Sequence, residues 1–72
     1  MNTLERIIIL KNQQNLSDKV FEQQLKLMPK TVDSWKRGNS EAYYKLLPQI
    51  AKYFNVSADY LLGLTEDKTV YY

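Results

Sequence analysis

A chain of 72 residues with ten basic and eight acidic side chains predicts one small domain of net charge +2. It contains no cysteine and no histidine, which excludes disulfides, thiolate zinc sites and the usual agent of proton transfer near neutral pH. No apolar stretch approaches the roughly 20 residues that span a bilayer, and Glu5 and Arg6 argue against a signal peptide. We therefore expect a cytoplasmic protein that is not an enzyme and binds no membrane, metal, cofactor or small-molecule ligand.

The first predicted helix covers residues 3 to 14. Ile7 and Ile8 belong to its apolar stripe, which recurs at helical spacing. Thr3 is the expected N-cap, and Asn15 is a residue type that tolerates the left-handed conformation that ends a helix.

Two short helices follow, over about residues 18 to 25 and 29 to 36, and a proline-containing link joins them. Ser17 is placed to cap the first, and Pro29 suits the first turn of the second, where its missing N–H would have no partner. The apolar positions of the pair are Val20, Phe21, Leu25, Val32 and Trp35. Two helices meeting at a tight corner predict a helix-turn-helix unit.

The remaining helices are shorter or interrupted. Ser40 and the acid after it could open a fourth helix, but Pro48 lies inside its apolar run. We expect either a kink or a later start after a turn over residues 41 to 46. Ser57 should cap a short fifth helix that Gly63 ends. The prediction is an all-α domain of five short helices.

The C-terminal segment lacks this periodicity. We predict a domain over residues 1 to 64 and a flexible tail over residues 65 to 72. The apolar end, Val70-Tyr71-Tyr72, could instead dock on a partner or on the domain itself, and its role stays open.

The sequence resembles the Cro/CI-type (XRE-like) helix-turn-helix family over about residues 3 to 64. The matching positions are Arg6-Ile7, Leu10, Leu16-Ser17, Phe21, Leu25, Thr31-Val32, Trp35, Gly38, Ile50-Ala51, Phe54, Val56-Ser57 and Tyr60-Leu61-Leu62-Gly63. The resemblance implies the lambda-repressor-like fold, in which the second helix of the unit enters the DNA major groove.

Family likeness also implies which residues would face DNA. The family positions in the second helix of the unit are Pro29, Lys30, Asp33 and Ser34, and Thr31 adds a second hydroxyl beside Ser34. Lys30 could donate to guanine, and the hydroxyls to phosphate or bases. Lys30 could equally be a solvated surface lysine, and Pro29 has no donor to offer.

A basic pair beside Gly38, formed by Lys36 and Arg37, resembles the phosphate clamp of the family, with Asn39 in the turn that follows. The same region adds Tyr43 and Tyr44, which could hydrogen-bond phosphate or anchor a protein interface. Trp35 is expected in the core.

Several residues depart from the family pattern. Met28 stands where relatives carry a capping Ser or Thr, so the side-chain cap of the second helix is expected to be lost. Met28 could lie in the core or, as an adaptable side chain, on a protein-binding surface. Asp18 replaces a Gln that faces the DNA backbone; it suits the helix dipole but opposes phosphate. Glu22 and Lys26 replace a small residue and a glycine, and could form an exposed i,i+4 pair.

Two functions compete on these grounds. Small proteins of this resemblance in temperate phages include modulators of repression and Cro-like repressors, and both act against lysogenic repression. A modulator, which we favour, would bind the DNA-reading domain of the cognate repressor through its apolar and acidic corner. A Cro-like repressor would bind operator DNA itself. Either protein is expected to be a monomer or a weak homodimer alone.

Overall fold

The computed structural model describes residues 2 to 70 and confirms the predicted all-helical class. The helices are α1 (Thr3–Gln13), α2 (Asp18–Gln24), α3 (Thr31–Lys36), α4 (Leu47–Phe54) and α5 (Ala58–Leu61). A single 3-10 turn, Ala42–Tyr44, lies between α3 and α4, and no strand occurs in the described range. None of these helices has both the length and the apolar character needed to cross a membrane.

Polar side chains define where the helices begin and end. Ser17 and Ser57 cap α2 and α5, as predicted, by accepting hydrogen bonds from N–H groups three residues later. The prediction for α1 is wrong by one residue: Asn2 is the cap, and its Oδ1 lies 2.8 Å from the N–H of Glu5. Thr3 is already helical and is buried. Asn15 adopts the predicted left-handed conformation with φ of 56°.

One aromatic cluster forms the centre of the core. Phe21 is completely buried; its ring stacks on Phe54 at 5.9 Å and meets the edge of Trp35 at 6.4 Å. Trp35 is 2% exposed, which confirms its core position. Val20 was expected on the same face but is 39% exposed. It precedes Phe21 by about 100° of helical rotation, and the core covers only one face of α2.

The connection to α4 follows the later start that Pro48 requires. The chain passes through the 3-10 turn, Leu46 is the N-cap residue, and Pro48 lies within the first turn of α4. At that position its missing N–H removes no helical hydrogen bond. The alternative of a kinked longer helix is therefore not what the chain adopts.

The segment after α5 returns to the domain. The backbone N–H of Ser57 donates to the carbonyl of Lys68 at 3.0 Å. Buried Arg6 donates to the carbonyl of Thr65 at 3.1 Å and pairs with Glu66 at 2.7 Å. The suggestion that Val70-Tyr71-Tyr72 docks on the domain or on a partner is not tested, because Tyr71 and Tyr72 lie outside the described residues.

Candidate functional site

The link between α2 and α3, residues 26 to 30, forms the corner of the helix-turn-helix unit. Met28 lies in the middle of this corner and is 77% exposed, so it does not belong to the core. Leu27 beside it is half-buried and packs against the core cluster. The corner therefore turns one apolar side chain inward and presents the next to solvent.

The corner is held in a conformation that its own residues do not favour. Lys26 and Lys30, at its two ends, have φ of 58° and 65°, in the left-handed region. Because Lys30 is left-handed, α3 begins only at Thr31, and the prediction of a start at Pro29 is wrong. Lys26 occupies a position for which the predicted family resemblance implies glycine, and its conformation is one that glycine adopts readily.

Glu22 caps α3 from the preceding helix. Its carboxylate accepts from the N–H of Lys30 at 3.3 Å and from the N–H of Val32 at 2.8 Å. The residue is 5% exposed, so the predicted exposed pair with Lys26 is wrong. The expected loss of the local side-chain cap is confirmed, because the N-cap residue of α3 makes no side-chain cap hydrogen bond, and Glu22 supplies the acceptor from the preceding helix instead. No local pattern indicates this, since the donors lie eight and ten residues further along the chain.

Asp18 links three helices through two ion pairs. Its carboxylate lies 3.0 Å from the ammonium of Lys11 in α1 and 3.1 Å from that of Lys36 in α3. Burial acts to raise the pKa of Asp18, but the hydrogen bonds and charges of Lys11 and Lys36 outweigh it and hold the pKa below its ordinary 3.8. Asp18 therefore carries its charge at neutral pH and forms ion pairs with two lysines of the same chain.

Arg37, the other residue of the predicted phosphate clamp, forms an ion pair as well. Arg37 Nε lies 2.9 Å from the carboxylate of Asp33 on the same face of α3. These side chains are 70% and 49% exposed, so the pair is weak and solvent-screened. Both clamp residues, Lys36 and Arg37, thus have an internal carboxylate partner.

The polar residues around the start of α3 differ in what they leave available. Thr31 Oγ1 donates to the carbonyl of Met28 and so serves the corner itself. Ser34 is half-buried, and its carbonyl accepts from the N–H of Asn39 at 3.0 Å. Of this group, Lys30 and Asn39 are the residues most open to solvent.

The two tyrosines separate into a core residue and a surface residue. Tyr43 is 8% exposed, and its ring meets Trp35 at 5.4 Å. Burial, and then the charges of Tyr44 and Glu41, raise the pKa of Tyr43. Tyr44 is 46% exposed. Tyr43 therefore acts as a core residue rather than the predicted contact, and Tyr44 alone offers a ring to a partner.

The residues predicted for recognition thus form two parts. One is an apolar tip, Met28 and Pro29, and the other is an ion-paired flank on α2 and α3, formed by Asp18, Asp33, Lys36 and Arg37.

Between residues 2 and 70 no cluster of acidic side chains is arranged to hold a metal ion. No protein-family model, curated protein or solved structure matches this chain. The resemblance to the Cro/CI-type family therefore stays a prediction from the residues.

Proposed function

We propose that this protein is a modulator of a phage-type lysis/lysogeny switch that binds the DNA-reading domain of the lysogenic repressor through its corner. The observation that carries the proposal is the exposure of Met28, 77%, at the tip of a helix-turn-helix unit and beside Pro29. A flexible thioether and a proline ring suit contact with apolar protein surface, and neither donates a hydrogen bond to a base edge.

The electrostatics of the corner support a protein partner over a phosphate. A helix N-terminus attracts phosphate because its N–H groups lack partners, but Glu22 already occupies two of these groups in α3. A phosphate there would meet a buried carboxylate. To bind a DNA phosphate, Lys36 and Arg37 would first have to break their ion pairs with Asp18 and Asp33.

The acids of the flank also suit a basic partner surface. The side chains of Asp18 and Asp33 remain 37% and 49% exposed while paired, so each can accept a further cation. The DNA-reading face of a repressor carries basic side chains. Complementary charge around an apolar contact gives such an interface its orientation and a faster association.

A Cro-like repressor that binds operator DNA remains the second candidate, because free positive charge also surrounds the corner. Lys19, Lys26 and Lys30 are exposed, and within residues 2 to 70 none of them forms an ion pair with a carboxylate. Lysines of this kind contact phosphates in DNA complexes. They would have to provide most of the affinity.

A gel-shift experiment separates the two candidates. Labelled operator DNA is titrated with this protein alone, and then with the lysogenic repressor present, at physiological salt. The modulator should release the repressor from DNA and produce no shifted species of its own. A sequence-specific shift by this protein alone would refute the modulator proposal and support the Cro-like repressor.

A further inference from the structure

We infer that Glu22 is a positioning residue, which fixes the conformation of the corner without being part of the surface that a partner contacts. The functional half of this inference rests on the function proposed above. Its structural half rests only on the hydrogen bonds of Glu22 and on the backbone conformation of residues 26 to 30.

Glu22 binds the chain on both sides of the exposed methionine. Its backbone carbonyl accepts from the N–H of Leu27 at 2.8 Å, just before Met28. Its carboxylate accepts from the N–H groups of Lys30 and Val32, just after it. One residue of α2 therefore holds the entry and the exit of the corner.

The hydrogen bonds of Glu22 offset the conformational cost of two residues of the corner. Lys26 and Lys30 are both left-handed, a conformation that is unfavourable for residues with a Cβ. α3 has six residues and no cap from its own N-cap side chain. A carboxylate that accepts two backbone N–H groups supplies charge-assisted hydrogen bonds and complements the helix dipole.

The burial of Glu22 separates its role from that of a contact residue. At 5% exposure it offers almost no surface to a partner. A change at Glu22 therefore does not remove a direct contact with a partner, and we expect it to alter recognition of the corner chiefly through the conformation of its neighbours.

The test is Glu22→Gln, which keeps the size of the side chain but turns one acceptor oxygen into an NH₂ group. That group would face a backbone N–H, donor against donor. Hydrogen exchange, followed by NMR, should accelerate about tenfold or more at the amide of Lys30 or Val32, relative to core amides such as that of Ile50. The affinity for the repressor's DNA-reading domain should fall about tenfold, the scale of one charge-assisted hydrogen bond.

Val56→Ala is the matched control for general destabilisation. Val56 is 6% exposed in the α4–α5 connection, so the variant should lose stability. Exchange at the Val32 amide should nevertheless accelerate no more than the lower global stability of the variant requires. The affinity for the repressor domain should stay unchanged.

The outcomes separate this inference from the function on which it draws. Unchanged exchange at both amides in Glu22→Gln would overturn the structural half. Faster exchange with unchanged affinity would overturn the positioning role and leave the proposed function standing. Failure of the unmodified protein to bind the repressor domain would overturn the proposed function and the functional half together, while amide exchange would still decide the structural half.

Discussion

Replacing Asp18 by Asn tests the ion-pair network that joins α1, α2 and α3. The ammonium of Lys11 is buried, with its side chain 6% exposed. Its other acceptors are neutral: Asn12 Oδ1 at 3.1 Å and the carbonyl of Leu16 at 3.0 Å. Asp18→Asn keeps the volume and removes the charge, so a buried cation would lose its carboxylate.

The expected loss follows from hydrogen-bond energetics and from the exposure of Asp18. A hydrogen bond to a charged group contributes about 1.5 to 3 kcal/mol. Because the Asp18 side chain is 37% exposed, solvent screening lowers the expectation to about 1 to 2 kcal/mol. For a domain of this size that corresponds to a decrease in Tm of about 4 to 16 °C.

Urea denaturation followed by the fluorescence of Trp35 is the suitable assay, because the chain has one tryptophan and it is 2% exposed. Asp33→Asn is the matched control: it removes a carboxylate from a pair whose side chains are 49% and 70% exposed. It should cost less than about 0.5 kcal/mol. Equal losses in the two variants would refute the claim that burial of Lys11 gives Asp18 its importance.

The pKa of Asp18 also predicts how the effect of Asp18→Asn on stability depends on pH. The folded protein holds the pKa of Asp18 below its ordinary value, so Asp18 contributes its full stability above about pH 4, where the unfolded carboxyl is also ionised. That contribution is lost as pH falls through the lower folded pKa. The stability difference between the original protein and Asp18→Asn should therefore be constant near neutrality and shrink in acid. A difference that grows in acid would contradict the sign.

Three further predictions concern the corner and the C-terminal segment. Lys26→Gly should raise the free energy of unfolding by up to about 1 kcal/mol, because the left-handed position favours glycine. The control Lys52→Gly, within α4, should lower the free energy of unfolding by a similar amount. Loss of stability in both variants would count against the left-handed conformation of Lys26. Arg6→Met should increase tryptic cleavage after Lys68, since the guanidinium of Arg6 holds the carbonyl of residue 65 and the carboxylate of residue 66. An unchanged cleavage rate would show that these contacts do not hold the segment. Met28→Ser combined with Asp18→Gln should increase affinity for operator DNA in a gel shift, and weaker DNA binding would show that the roles given to both residues are wrong.

Local sequence signals predicted the helices well. The caps at Ser17 and Ser57 and the left-handed Asn15 each depend on a few neighbouring residues, and the structure has all three. Of the two alternatives that Pro48 left open, a kink or a later start, the structure has the later start. Phe21 was predicted as an apolar position of the unit and Trp35 as a core residue, and both are buried.

The candidate site was harder to predict because its key contacts join distant residues. Glu22 meets its donors across the α2–α3 link, and Asp18 meets Lys11 and Lys36 from two other helices. Because Glu22 and Lys26 are four residues apart, the sequence predicted that they would lie on the same exposed helix face and form an ion pair. The left-handed Lys30, which decides where α3 begins, follows Pro29 in a turn closed by a hydrogen bond from the N–H of Thr31 to the carbonyl of Met28. Proline is common at the second position of such a turn, but the third position usually carries glycine or asparagine, so a lysine there gives no local signal of a positive φ.

The most direct test of the proposed function is NMR mapping of this protein's amides with two candidate ligands, at physiological salt. Addition of the repressor's DNA-reading domain should shift the amides of Met28 and of residues 30 to 34 most strongly, with the Met28 methyl signal moving as well. Addition of operator DNA alone should leave the same signals nearly unchanged. If operator DNA shifts residues 28 to 34 and the repressor domain does not, the account of this corner as a protein-binding surface is contradicted.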